Sequence, residues 1–113
     1  MTIKSTDKDG LNEAFAIHVA GWTRPRTTGA KMMLWPPGKP KWPTEYPEPC
    51  PHFTDSADAV LPWLDKMVCW QAGKYAGGAG HWVNLGDGDS AASTLPLAVV
   101  IALLRANGVT VED

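Results

Sequence analysis

Four basic and two aromatic side chains in the first half of the chain have the chemistry to hold an anion: Arg24, Arg26, Lys39 and Lys41, interleaved with Trp35 and Trp42. Residues 14–44 contain no acid, yet five of the chain's ten Lys and Arg residues lie there. Guanidinium and ammonium groups neutralise phosphate oxygens, and an indole face stacks on a base or a cation. Together they point to a nucleotide-like anionic ligand. The competing reading is a solvated basic loop on a weakly acidic protein. A net charge of −2 and a pI near 5.8 disfavour binding of bulk nucleic acid, which is served by a strong basic excess.

Other constellations are weaker. Cys50-Pro51-His52, with Cys69, His81 and His18 elsewhere, offers metal-ligating types but no zinc-knuckle spacing. No nucleophile elbow accompanies these cysteines and histidines. "GDGDS" (86–90) alternates acids and glycine as half a calcium loop does, but lacks the closing bidentate glutamate, and reads as a turn with an Asx bond. "YAGGAGH" (75–81) lacks the lysine and hydroxyl of a phosphate-binding loop and reads as a hairpin connection. His18 reads as a packed histidine beside a helical stripe. We therefore expect no catalytic residues, no metal and no cofactor: a protein that binds and is not an enzyme.

These side chains need a scaffold, and 113 residues suffice for one domain (1–113) with a real core. At helical spacing, Leu11, Phe15, Val19 and Trp22 predict a first helix over 10–20, capped by Asp9 and stopped by Gly21. "KMMLW" predicts a short strand, ended by Pro36. Thr54 is the expected cap of a second helix over 55–67, striped by Ala57, Val60, Leu61, Leu64 and Val68 and kinked at Pro62. "VCWQA" (68–72) and "HWVNL" (81–85) alternate as two antiparallel strands. Ser93 or Thr94 caps a third helix with Pro96 in its first turn, core-facing Leu97, Val100, Ile101 and Leu104, and Asn107-Gly108 as its stop. "VTV" adds an extended tail.

Residues 33–54 hold seven of the ten prolines. A free polyproline ligand is poor in large hydrophobes, but this segment carries Trp35, Trp42, Tyr46 and Phe53. We read residues 35–52 as an ordered cover laid over the domain, since proline reduces the entropy lost on ordering. A wall of a binding site or a subunit interface is the other use of the same segment.

Four stretches in this order, "LNEAFAIHVAGW", "LWPPGKP", "PHFTDSADAVLPWLDK" and "STLPLAVVIALLRANG", resemble the phage ABA sandwich domain, a family of small phage and prophage proteins. The resemblance implies an α/β/α sandwich with helices on both sides of a sheet, and a phage or prophage origin. It implies no catalytic set. With the elements above, the expectation is an α+β domain: a small antiparallel sheet flanked by helices, with a long ordered Pro/Trp-rich loop.

The expected function is that of a phage or prophage accessory protein acting by binding. One alternative is an anti-defence role, sequestering an anionic nucleotide signal; another is a module that docks a bacterial host protein through exposed tryptophans. Six tryptophans in so short a chain also suggest a homo-oligomer. The longest apolar run, 95–104, is about half a bilayer span. With no signal-like leader read, the expected location is the bacterial host cytoplasm, with both cysteines reduced.

Overall fold

The computed structural model describes residues 2–23, 33–35, 48–67, 69–75, 80–86 and 88–112. Its class is α+β, as expected. Along the chain run β1 (Thr2–Lys4), α1 (Lys8–His18), β2 (Met33–Leu34), β3 (Glu48–Pro49), a 3₁₀ turn (Phe53–Asp55), α2 (Ala57–Leu64), β4 (Gln71–Lys74), β5 (His81–Asn84), β6 (Asp89–Ala92), α3 (Leu95–Ala106) and β7 (Thr110–Glu112). The order β4-β5-β6 makes an antiparallel sheet, β1 and β7 pair in parallel, and β2 pairs antiparallel with β3.

Helix α3 organises the molecule. Thr94 accepts from the Leu97 N–H as its cap, Pro96 occupies the first turn, and Asn107 with Gly108 (φ 84°) ends it. One side of α3 carries β5 and β6, and against it also lie α1, α2 and the 3₁₀ turn. It is therefore apolar around its circumference. Ala98, Val99, Val100, Ile101, Ala102, Leu103 and Leu104 are all buried, whereas Leu97, expected to face the core, is only half-buried.

The first helix starts earlier than its periodicity suggests. Asp7, not Asp9, is the cap, its Oδ1 accepting from the Gly10 N–H at 3.0 Å. The helix also ends earlier than expected, at His18 with Val19 as its C-cap, and Gly21 (φ 82°) turns the chain just beyond. His18, expected to be packed, is exposed in the last turn.

At the second helix the cap also moves. Ser56 caps α2 by accepting from the Ala59 N–H, while Thr54 is buried in the preceding 3₁₀ turn. Pro62 lies in the last turn of α2, which ends two residues later at Leu64. Its missing N–H would have met the carbonyl of Asp58, an exposed residue, so water can serve there.

Three strands were not legible in the sequence, among them β3 at Glu48–Pro49, inside the segment read as a cover. "DSAA" forms β6, within a stretch that reads as a turn, and the polar start forms β1 against β7. The strand expected over 68–72 lies instead at Gln71–Lys74. β2 and β3 tie together the two ends of the Pro/Trp-rich segment, with Leu34, Cys50 and Phe53 buried. Trp42, Tyr46 and most of that segment lie outside the described residues.

Candidate functional site

Of the basic and aromatic set read from the sequence, Arg24, Arg26, Lys39, Lys41 and Trp42 lie outside the described residues. Trp35 is described. It is half-buried, and its backbone N–H and carbonyl exchange bonds with Thr23 at 2.9 and 3.1 Å. This bridge brings Thr23 beside Trp35.

A different surface is assembled by the three-stranded sheet. Cross-strand partners share a face, so the register places Ala72, Lys74, His81, Val83, Ser90 and Ala92 on the side of α3. Val83 and Ser90 are buried there, and the Ser90 hydroxyl donates to the carbonyl of Ala98 on α3. His81 is half-buried on this side, its Nδ1 buried with no hydrogen-bond partner among the described residues.

The opposite face carries Gln71, Gly73, Trp82, Asn84, Asp89 and Ala91, extended by Tyr75, whose N–H donates to the Gly80 carbonyl at 2.9 Å. Trp82 is its centre. A Cβ on Gly73 would lie 2.6 Å from three atoms of the indole, so the ring lies across the glycine backbone. On its other side stands Ala91, and the two small neighbours leave the half-buried indole as a platform. Tyr75, Trp82, Asn84 and Asp89 border a concavity of about 270 Å³. Tyr75 is 44% exposed and Trp70, just before β4, 39%.

The turn after β5 is held by its own chemistry. Asn84 Oδ1 accepts from the Gly86 N–H at 2.9 Å, so the Asx bond expected in "GDGDS" comes from the residue at the end of β5. Gly88 packs on α3, where a Cβ would lie 2.6 Å from the Ala102 carbonyl oxygen and 2.7 Å from the Ala106 nitrogen. Arg105 then donates to the carbonyls of Asp89 (2.8 Å) and Val111 (2.7 Å), fixing the outer edge of β6 to α3 and β7.

A larger concavity, about 420 Å³, lies between β1 and α1 and is lined by Lys4, Asp7, Glu13 and His18 among others. Its charges are mixed, and Asp7 is engaged as the helix cap. Both cysteines are free thiols. Cys50 is buried, its Sγ donating weakly to the Asn12 carbonyl at 3.4 Å, and Cys69 is exposed. Burial, followed by the charges of Glu13 and Asp9, pushes the Cys50 thiol up to about 11 from 9.0, the opposite of an activated nucleophile. Among the described residues, no three metal-ligating side chains come together, and no helix is long and apolar enough to cross a membrane.

Nothing in the sequence singled out Trp82 or Gly73. The signal was present only as alternation in "HWVNL", which puts Trp82 and His81 on opposite faces without saying which face meets the helix.

The chain matches no family model and no curated protein. Its fold is similar to that of a phage protein from Bacillus cereus ATCC 14579 solved at 2.0 Å, with a TM-score of 0.69 and 14% identity over 93% of this chain and 91% of that one. At this identity the likeness carries the fold. The motif resemblance to phage ABA sandwich proteins thus meets a shared fold with a phage protein, while the family name has no matching model.

Proposed function

We propose that this chain is a phage-type accessory protein that acts by binding, and that it docks a bacterial host protein on the sheet face centred on Trp82. The observation that carries this reading is the indole laid over Gly73, beside exposed Tyr75. Large aromatics on a rigid strand lose little entropy on binding and are common anchors of protein interfaces. The shared fold with a phage protein supports the origin.

The chemistry of this face favours a protein over a nucleotide. Asp89 places a carboxylate at its border, which repels phosphate and suits a basic or amide-bearing surface. The acid-free stretch 14–44 supports the second reading, sequestration of an anionic nucleotide by Arg24, Arg26, Lys39 and Lys41 with Trp35 or Trp42. The two readings predict different companions on native purification.

A photocrosslinking amino acid at Tyr75 separates them. In host lysate it should capture a discrete protein, and Trp82→Ala should abolish the capture while circular dichroism stays unchanged. A nucleobase that co-purifies with the wild-type chain, survives Trp82→Ala and is lost on Arg24→Glu with Arg26→Glu would replace host docking with sequestration.

A further inference from the structure

The two outer edges of the three-stranded sheet are treated differently. In an antiparallel ladder, bonded and non-bonded pairs alternate. The Tyr75 N–H to Gly80 carbonyl bond sets the phase for β4 and β5, so Gly73 pairs through hydrogen bonds with Trp82 and Gln71 with Asn84. The N–H and carbonyl groups of Ala72 and Lys74 therefore point away from β5. By the same alternation Asp89 and Ala91 face outward on β6, and there Arg105 covers the Asp89 carbonyl.

Among the described residues nothing comparable protects β4. Gln71, Ala72 and Lys74 are exposed, and α3 packs on β5 and β6. The strand has no proline, one charge, and flanking aromatics in Trp70 and Tyr75. Proteins normally blunt such an edge, because an open row of donors and acceptors recruits another strand.

We propose that β4 is the interface of a homodimer, two copies pairing their β4 strands antiparallel about a two-fold axis at Gly73. The register follows from the open groups. Ala72 of one copy meets Lys74 of the second, and their N–H and carbonyl groups exchange bonds on both sides of the axis, satisfying every outward group of the two residues. Gly73 faces Gly73, where no side chains collide. Lys74 opposes alanine, so no like charges meet directly. Gln71 faces Tyr75 of the second copy. Such an isologous contact closes on itself, giving the strand order β6-β5-β4-β4-β5-β6. The two Trp82 faces then lie on one continuous surface, with their strands three spacings apart, about 14 Å. The dimer rests on the backbone of β4 and is independent of what the Trp82 face binds.

Sedimentation equilibrium on the full chain tests this with variants at one exposed position. Wild type should be a dimer. Ala72→Lys puts like charges opposite at two symmetric places and Ala72→Glu puts opposite charges there, so the dimer dissociation constant should rise and fall respectively, each by roughly twofold to thirtyfold. Ala72→Pro removes an outward N–H without touching the bonds to β5 and should give a folded monomer. Hydrogen exchange provides a measurement on the wild-type chain itself: the Ala72 and Lys74 amides should become protected as concentration rises. A monomer at every concentration, equal affinity of the Lys and Glu variants, or a dimer whose Ala72 and Lys74 amides stay unprotected would overturn the proposal.

Discussion

The backbone N–H of Thr54 donates to Oδ1 of Asn12 at 2.9 Å across 42 positions of sequence, with both residues buried. Asn12 thereby ties α1 to the 3₁₀ turn that leads into α2, and its own carbonyl accepts from Cys50. Phe15 and Phe53 pack at a tilt of 44° with ring centroids 4.6 Å apart, and Trp63 meets Phe15 edge-on at 6.5 Å.

Replacing Asn12 with leucine should leave the Thr54 N–H buried without an acceptor and destabilise the domain by about 1–3 kcal/mol. Urea unfolding monitored by circular dichroism measures it. An unchanged midpoint would mean that the link contributes nothing.

Cys50 predicts a stability loss at alkaline pH. Its thiol is raised from 9.0 to about 11, so the folded state holds the proton more tightly than the unfolded chain. The contribution is complete below pH 9.0 and is lost as pH rises through about 11. Thermal unfolding over that window should fall more steeply for wild type than for Cys50→Ala, and parallel curves would remove Cys50 as the cause.

The two thiols should also differ in access. A thiol reagent should label exposed Cys69 in the native protein and Cys50 only as the fold opens. Mass spectrometry of the first modified peptide decides it, and early modification of Cys50 would contradict its burial.

Leu103 and Leu97 offer a contrast between pattern and packing. Leu97 belongs to the stripe read from the sequence but is half-buried, while Leu103 lies off that stripe and is 1% exposed. Leu103→Ala, like Ile101→Ala, should cost about 2–5 kcal/mol, and Leu97→Ala should cost less. Equal costs at Leu97 and Leu103 would mean that α3 buries one face rather than its circumference.

Gly88→Ala should destabilise by about 1–3 kcal/mol, because the added methyl meets the α3 backbone at Ala102 and Ala106 and neither can rotate aside. A chemical denaturation curve identical to wild type would show that the β5–β6 turn is not seated on the helix.

What could be read along the chain was local. α3 was legible in its cap, its Pro96 and its Asn107-Gly108 stop, since each acts through bonds within a turn or two. The turn at Gly21 just beyond α1 and the strand at His81–Asn84 were legible for the same reason. The cap of α1 was misplaced because two aspartates stand near its start and either could accept from a first-turn N–H. In the basic site read from the sequence, the described part is Trp35 and its bridge to Thr23.

The α+β class and the amphipathic or wholly apolar character of the helices were determined by the sequence itself, through periodicity, capping and burial of apolar side chains. Tertiary structure alone decided the rest. β1 and β7 are too short to persist as strands unless the chain brings Thr2 beside Thr110. β6, built from "DSAA", has little strand propensity of its own and is held by β5, by the Ser90 bond to α3 and by Arg105. Likewise, the alternation in "HWVNL" permits either face to be buried, and it is α3 packing over Val83 that leaves Trp82 on the open side. Strand pairing and the choice of buried face depend on residues far apart in sequence, which no local pattern specifies.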